Sequence, residues 1–403
     1  MSRALQPVLA ALLAAAWAWP AASEAHDPGH AAPAAPCLTA AAWHDTRGEK
    51  PRPVAASELL ADMARRDIVL LGEQHDAADH HRWQLQTLAV LHALRPRMAI
   101  GFEFFPRRLQ PVLDRWVAGD LTLRQFLEQS EWDRVASVDP ALYAPLFEFA
   151  RMNRIPMVAL NVEATLIDAV SDKGLDAVPQ AQREGVTRPA PPSPAYRAFL
   201  LEVFGQHGHG AGAGKPGKET AASMRFVESQ QVWDRAMAQA LAARAAVPDG
   251  QPAPLVVGLM GMGHVQHGYG VPHQLRDLGV KRIGTLLPIE RSIDCALLEP
   301  GIADAVFAVP DLPPVKPEPP RLGVLLDQEG EAVRVKEVTA GSLAEKSGLR
   351  AGDRVVTVAG APARSVGQVI AAVRRQPEGT WLPLKLLRGE ETLELVVRFP
   401  AKP

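Results

Sequence analysis

Residues 68–76 read IVLLGEQHD, a short apolar run that ends in a glycine and a cluster of polar side chains. An apolar run of this length bounded by glycine is typical of a strand buried on both faces of a sheet. Longer helical patterns separate this run from similar runs at 98–102, 157–160, 255–260 and 282–287. Because buried strands alternate with helices, we predict an α/β domain with a mainly parallel sheet covered by helices.

Polar residues follow four of these runs at the point where each predicted strand ends. Glu73 and His75 follow the first run, Glu103 the second, Asn161 the third and His264 the fourth. In parallel α/β sheets, ligands bind beyond the carboxyl ends of the strands, where loops from different strands converge. We therefore expect these side chains to face one crevice.

Two imidazoles and two carboxylates in one crevice support two kinds of chemistry. Glu73, His75, Glu103 and His264 could be ligands of a divalent metal ion, or they could act as general acids and bases in catalysis. The residue types alone leave both uses open. In either case Glu103 needs a partner, because it is costly to bury a carboxylate in apolar surroundings.

Several short motifs in this region occur together in the same order as in a known family. They are GEQHD at 72–76, GFEFF at 101–105, the strand end Leu160-Asn161, a Gln231/Asp234 pattern on a long helix, and GMGHVQHGYGVP at 261–272. Over residues 57–290 the chain resembles the ChaN-like family, bacterial haem-binding proteins linked to iron uptake. Their superfamily also contains Tiki metalloproteases and erythromycin esterases. The resemblance implies haem as the cofactor, a homodimer, and metal-ligand or acid/base roles for Glu73, His75, Glu103 and His264.

Haem iron is commonly held by histidine or tyrosine side chains. Tyr269, five residues after His264, is the first candidate for a tyrosinate ligand, with packing beneath the following helix as the alternative. Arg225 is a candidate partner for a carboxylate or a haem propionate. The predicted haem-binding set is completed by the strand-end residues His75, Glu103, Asn161 and His264.

Other histidines are less informative. His207 and His209 alternate with glycines in the Gly-rich segment 205–218, so they either close over a porphyrin or are solvated. No role is assigned to the contiguous His80 and His81, or to His273.

From residue 321 onward the pattern changes to short strands with one or two brief helices. The segment AGSLAEKSGLRAGDRVVTVAG, residues 340–360, resembles a bacterial PDZ domain of the kind found in periplasmic proteases. The resemblance implies that a partner's extended C-terminus adds to a sheet edge while its carboxylate meets loop N–H groups. The predicted peptide-binding residues are Arg321, Leu322, Gly323, Val324 and Leu326.

The remaining segments complete the predicted organisation. Residues 1–25 read as a secretory signal, which predicts a periplasmic protein, with a retained membrane anchor as the alternative. Residues 26–56 are expected to be irregular, 57–308 to form the α/β domain, 309–320 to be a proline-rich spacer and 321–403 to form the PDZ domain.

Net charge and cysteine content give two further predictions, one about nucleic-acid binding and one about a disulfide bond. The formal net charge of −2 and the absence of a Lys/Arg block argue against a nucleic-acid partner. Cys37 and Cys295, the only cysteines, flank the α/β domain and could pair in an oxidising compartment.

Taken together, these features predict an envelope haem- or iron-binding protein with a docking module. The alternatives are a metal-dependent or acid/base hydrolase, and a scaffold whose working part is the PDZ domain.

Overall fold

The computed structural model describes residues 37–136, 138–207, 219–246, 252–310, 320–330 and 332–401. Contacts within the chain divide these residues into two compact units, one comprising 37–130 and 140–310 and the other 131–139 and 320–401. Several predictions fall outside the described residues: the export signal at 1–25, most of the Gly-rich segment with His209 and the side chain of His207, and most of the 309–320 spacer.

The first unit is built on one eight-stranded sheet, which confirms the predicted mainly parallel α/β fold. The strand order is β2-β1-β8-β7-β3-β6-β4-β5. All pairs from β8 to β5 are parallel, whereas β1 pairs with β8 and β2 in the antiparallel direction. The strands are β1 (Trp43–Asp45), β2 (Arg52–Val54), β3 (Ile68–Glu73), β4 (Met98–Pro106), β5 (Met157–Asn161), β6 (Leu255–Gly261), β7 (Ile283–Glu290) and β8 (Ala305–Val309).

The segment before Ser57 differs from the prediction of an irregular lead-in. Its strands β1 and β2 have three residues each, too few for a periodic pattern to show in the sequence. Long-range pairing forms them instead, with Trp43 opposite Phe307 on β8 and its ring 5.3 Å from the Phe307 ring. Cys37 and Cys295 form a disulfide bond, so the two cysteines that flank the domain do meet.

Helices cover the sheet and supply several of the buried polar groups described below. They are α1 (Ala56–Met63), α2 (Ala78–Leu94), α3 (Gln110–Ala118), α4 (Leu123–Gln129), α6 (Pro140–Met152), α7 (Ala164–Lys173), α8 (Pro194–His207), α9 (Ala221–Ala245) and α10 (Gly270–Asp277). The short helix α5 (Trp132–Val135) belongs to the second unit. Within the described ranges, no helix combines the length and the apolar character needed to cross a bilayer.

The long helix α9 positions one of the site residues. A capping box between Thr220 and Ser223 starts the helix by satisfying free N–H groups of its first turn. Val227, Val232, Met237 and Leu241 on α9 are all buried. Asp234 lies on the same helix and is completely buried, so its carboxylate needs partners inside the protein.

The second unit is a small antiparallel sheet, as predicted for a PDZ domain. Its strand order is β14-β13-β11-β10-β9, and the short β12 pairs with β11. Alternate residues of β10 and β13, such as Val333, Val335, Leu382 and Leu384, face the core. The elements are β9 (Val324–Glu329), β10 (Ala332–Val338), α11 (Leu343–Lys346), β11 (Arg354–Val358), β12 (Ala361–Pro362), α12 (Val366–Arg374), β13 (Trp381–Arg388) and β14 (Glu391–Arg398).

Candidate functional site

The strand order brings the predicted polar residues to one edge of the sheet. β6 lies between β3 and β4, and the register places Glu73 opposite Gly261 and Phe102 opposite Leu259. Glu103, one residue after Phe102, therefore reaches the same level as Glu73 from the other side of β6. A 3₁₀ turn, Met262–His264, follows β6 directly and adds His264 to the group.

The first half of the site is a histidine held by a buried carboxylate. Nδ1 of His75 lies 2.8 Å from Oε1 of Glu73, and the Tyr143 hydroxyl donates to the same oxygen. The other oxygen, Oε2, accepts a 2.7 Å hydrogen bond from Nε2 of Gln84. Glu73 is 2% exposed, whereas the His75 side chain is 18% exposed. The imidazole therefore faces outward and the carboxylate lies beneath it.

His81, on α2, neutralises the Glu73 carboxylate from within the protein. Nδ1 of His81 lies 3.1 Å from Oε1 of Gln84 and 3.4 Å from Oε2 of Glu73, and Nε2 lies 3.0 Å from the carbonyl of His75. Because both ring nitrogens face acceptors, the ring is held as an imidazolium. Burial, the largest single influence, would lower the pKa of His81, but the Glu73 charge and the hydrogen bonds to Glu73, His75 and Gln84 together raise it.

The same partners fix the charge states of Glu73 and His75. Burial alone would raise the pKa of Glu73, but the His81 charge and the hydrogen bonds from His75 and His81 hold it well below its ordinary value. Burial would lower the pKa of His75, yet its hydrogen bond to Glu73 and the nearby Glu103 charge raise it. Burial, together with the Glu73 charge, raises the pKa of Tyr143 well above its usual range, so its hydroxyl remains a donor.

The second half of the site holds His264 between two carboxylates. Its Nδ1 lies 2.6 Å from Oδ1 of Asp234, and its Nε2 lies 3.5 Å from Oε1 of Glu103. Oδ2 of Asp234 accepts a 2.7 Å hydrogen bond from the Tyr196 hydroxyl. Oε2 of Glu103 accepts a 2.6 Å hydrogen bond from the N–H of Gly261. Each carboxylate therefore has a second partner besides the imidazole.

This arrangement keeps His264 positively charged. Burial would lower the pKa of its imidazole, but the charges of Asp234 and Glu103 and the hydrogen bond to Asp234 raise it to about 9. At neutral pH both ring nitrogens of His264 are therefore protonated and directed at carboxylates. Burial and the Asp234 charge raise the pKa of Tyr196 well above its usual range, so Tyr196 also donates.

The two halves meet at Gly261. A methyl group at this position would lie 3.4 Å from Nε2 of His75 and 3.7 Å from Oε2 of Glu103. The glycine therefore leaves space between the His75 ring and the Glu103 carboxylate. Among the residues that the structure describes, none is hydrogen-bonded to Nε2 of His75. The Phe104 ring lies 4.8 Å from the His75 ring.

Two further predicted haem-binding residues, Asn161 and Arg225, make hydrogen bonds outside the Glu73 and Asp234 networks. Oδ1 of Asn161 accepts the N–H of Val162, and Asn161 ends β5, which is separated from β6 by β4. Nε of Arg225 donates to the carbonyl of Ser171. Arg225 precedes Asp234 on α9 by nine residues, which amounts to about 13 Å along a helix. The role of Asn161 and Arg225 in haem binding stays a prediction.

Tyr269 packs against Tyr196, the tyrosine that is bonded to Asp234. Its ring centroid is 5.4 Å from that of Tyr196 and 5.2 Å from that of His267. Burial raises the pKa of Tyr269, which disfavours the tyrosinate form. Its role as a haem ligand stays a prediction.

Several members of the site were not anticipated from the sequence. His81 was assigned no role because it adjoins His80, yet the helix turns the two rings apart, and His80 instead accepts the N–H of Gln74 at 2.9 Å. The spacing of His81 and Gln84, which share one face of α2, was an available indication. Tyr143 and Tyr196 carried no local pattern, and only the scarcity of tyrosine, three in the chain, distinguished them.

Most of the polar groups of the site are engaged with one another. Across the described ranges, no group of three or more His, Cys, Asp or Glu side chains is arranged to hold a metal ion. The carboxylates are already engaged by imidazole, hydroxyl, amide and backbone donors.

The second unit presents an open sheet edge beside a helix. Among the described strands, β9 pairs only with β10. Val324 and Leu326 are half-buried against the module core, and Leu322 is buried. Gly323 has a φ of +76°, and its carbonyl accepts the N–H of Thr339. The predicted peptide-binding residues thus form one loop and the strand that follows it.

Comparisons with known protein families find one matching family for each of the two units. A family model described as "Haem-binding uptake, Tiki superfamily, ChaN" matches residues 59–275, and one described as "PDZ domain" matches residues 334–388. No curated protein matches the chain.

Similar solved structures were found for each unit. A structure titled "Cofacial heme binding to ChaN of Campylobacter jejuni" is 17% identical, covers 66% of this chain and 96% of its own, with a TM-score of 0.49. A serine endoprotease from Yersinia pestis is 27% identical over 20% of this chain and 29% of its own, with a TM-score of 0.18. The HtrA3 PDZ domain bound to a phage-derived ligand is 22% identical over 19% and 82%, also with a TM-score of 0.18.

Proposed function

Because the chain belongs to the ChaN family of haem-binding uptake proteins in the Tiki superfamily, we propose that it binds haem at the carboxyl ends of β3, β4 and β6. The observation that carries the proposal is the orientation of His75. Glu73 holds Nδ1, and Nε2 faces the space left by Gly261. A carboxylate behind a ligating histidine fixes its tautomer and raises its basicity. His75 is therefore our candidate for the axial ligand.

His264 has a different role in this proposal. With Nδ1 directed at Asp234 and Nε2 directed at Glu103, its imidazolium has no free lone pair for iron. Its positive charge instead stabilises the buried Glu103 carboxylate beside His75. Bound haem would supply the iron, and the residues around it supply one nitrogen donor and a fixed distribution of charge.

Haem titration tests the proposal directly. We expect stoichiometric haem to shift the Soret band of the wild-type protein, and His75→Ala to weaken binding at least about tenfold, the effect of losing about 1.4 kcal/mol. His92→Ala is a matched control, because His92 is a half-buried histidine on α2 whose ring lies 5.9 Å from Phe149, outside the site. No Soret shift in the wild type would contradict the proposal, and an unchanged His75→Ala titration would remove His75 as the ligand.

A hydrolase is the second candidate, and one specific observation favours it. Glu103 and the open Nε2 of His75 lie on either side of Gly261, where they could act as a general base and a general acid on a bound substrate. Assays of ester hydrolysis with Glu103→Gln and His75→Ala distinguish the two functions. Hydrolysis by the wild type that both variants lose, without haem binding, would favour the hydrolase.

The second unit is proposed to dock the C-terminus of a protein partner. The support is the open edge of β9 next to the loop 321–323, whose backbone N–H groups suit a terminal carboxylate. Binding of an apolar peptide to the full chain would be compared with binding of the same peptide carrying a C-terminal amide. We expect amidation to weaken binding by an order of magnitude or more; equal binding would exclude carboxylate recognition.

The cellular setting is proposed from residues 1–25. An export signal there would place the protein in the periplasm, where the Cys37–Cys295 disulfide would persist. Fractionation of cells that express the chain with and without residues 1–25 tests this location. Light scattering with and without haem tests the proposed homodimer.

A further inference from the structure

The two histidines of the site share an arrangement that neither the family match nor the strand-end pattern explains. Each Nδ1 is bound to a buried carboxylate, and each carboxylate is bound in turn to a buried tyrosine hydroxyl. One set is Tyr143–Glu73–His75, and the other is Tyr196–Asp234–His264. The residues come from different elements in each set, so the repetition does not follow from one local motif.

Tyr143 is placed to compete with His75 for one oxygen. Its hydroxyl and Nδ1 of His75 both bond to Oε1 of Glu73, and the hydroxyl lies 3.5 Å from Nδ1 itself. Two donors on one oxygen share its negative charge, so each bond is weaker than it would be alone. The Tyr143 hydroxyl therefore weakens the hydrogen bond between Glu73 and Nδ1 of His75.

Tyr196 acts on the other oxygen of its carboxylate. It bonds to Oδ2 of Asp234, whereas His264 bonds to Oδ1. This geometry fixes the rotation of the carboxylate, so Oδ1 stays aligned with Nδ1 of His264. The ring of Tyr196 is itself fixed by packing, because the residue is 3% exposed.

We propose that Tyr143 and Tyr196 are positioning residues, which act through Glu73 and Asp234 to set the orientation of His75 and His264 and the strength of their Nδ1–H hydrogen bonds. Neither tyrosine is required to touch a ligand. Where haem is concerned the inference rests on the function proposed above. A stronger Nδ1–H bond makes His75 a better electron donor and lowers the reduction potential of a ligated iron.

Two variants at the first set are expected to act in opposite directions. Tyr143→Phe keeps the ring and removes the hydroxyl, so Glu73 bonds more strongly to His75 and the Nδ1–H proton resonance moves downfield. Glu73→Gln removes the charge, so that resonance moves upfield. A purely structural role would shift the resonance in one direction in both variants, or not at all.

Proton NMR of the apo-protein therefore tests the inference without any ligand. Thr46→Val is the matched control, because it removes another buried hydroxyl, one that donates to the carbonyl of Ala303 outside the site. We expect Tyr143→Phe to move the His75 signal, Tyr196→Phe to move that of His264, and Thr46→Val to move neither. Unchanged histidine signals in both tyrosine variants, or shifts of the same sign in Tyr143→Phe and Glu73→Gln, would overturn it.

Reduction potentials of the haem-loaded protein supply a second measurement. Relative to wild type, Tyr143→Phe is expected to lower the potential and Glu73→Gln to raise it; the reverse order would contradict the inference. If the wild type binds no haem, the proposed function fails while the NMR result still decides the role of the tyrosines. If Tyr143→Phe does not fold, Tyr196→Phe and the His264 resonance decide it.

Discussion

Nδ1 of His264 lies 2.6 Å from Oδ1 of Asp234, a carboxylate with no exposed surface. The pKa of His264 is raised to about 9, above its ordinary value of 6.5. A raised histidine pKa contributes stability that is fully present below about pH 6.5 and is lost as the pH rises through 9.

The stability of the wild-type protein is therefore expected to fall between pH 6.5 and 9.5, by an amount on the order of 3 kcal/mol from the deprotonation of His264 between Asp234 and Glu103. Asp234→Asn should remove most of that dependence and destabilise the protein by about 3 kcal/mol at pH 6.5. Urea unfolding of the wild type and of Asp234→Asn at pH 6.5 and pH 9.5 measures this change in stability. Asp114→Asn, at an exposed position of α3, should leave the curve unchanged.

The stability that Glu73 contributes has the opposite pH dependence, because it is lost as the solution becomes acidic. Its pKa is held well below the ordinary value, so its stabilising contribution is present above about pH 4.5 and is lost as the pH falls further. Glu73→Leu leaves the Gln84 and Tyr143 donors and the His81 charge buried without their partner, so we expect a loss of about 3 kcal/mol or more at pH 7. Chemical denaturation compares it with Glu128→Leu, an exposed control whose stability should match the wild type.

Gly261→Ala separates binding from stability. The glycine has an ordinary φ of −53°, and the added methyl group would only reach normal contact with the His75 ring, so little stability should be lost. It would, however, occupy the space beside Nε2. We expect at least about a tenfold loss in haem affinity with a melting temperature close to wild type. Unchanged affinity would show that haem does not approach His75 from this side.

The disulfide is expected to stabilise the first unit as a whole. Cys37 and Cys295 are 258 residues apart, and closing so long a loop restricts the unfolded chain strongly. Reduction, or Cys37→Ser with Cys295→Ser, should lower the free energy of unfolding by about 3–5 kcal/mol. Thermal melts with and without reductant measure the effect, and the double variant should not respond to reductant.

Gly323 is expected to be essential to the peptide-binding loop. A Cβ there would lie 2.4 Å from Cβ of Ser342, and the φ of +76° is unfavourable for alanine. Gly323→Ala should therefore destabilise the second unit by at least about 1–2 kcal/mol and weaken peptide binding. Gly330→Ala has a comparable φ of +62° but open space around it, so a much smaller effect on peptide binding is expected.

The main features of both folds were predictable because they depend on local patterns. The buried strands β3, β4, β5, β6 and β7 each appear in the sequence as an apolar run, and the PDZ motif spans a contiguous segment. The short strands β1 and β2 were not predictable, since pairing with β8 across the chain forms them. The sequence indicated Cys37 and Cys295 as a possible pair, and only the folded structure shows that they form a disulfide bond.

The grouping of Glu73, His75, Glu103 and His264 could be predicted from the sequence, because a parallel sheet places the carboxyl ends of its strands at one edge. The nitrogen that each histidine presents could be read only from the folded protein. That outcome depends on Asp234, Tyr143, Tyr196 and His81, which come from separate helices and reach the site through packing. The hydrogen bonds of Asn161 and Arg225 likewise became known only from the fold, since position along a strand or helix does not determine which hydrogen bond a side chain makes.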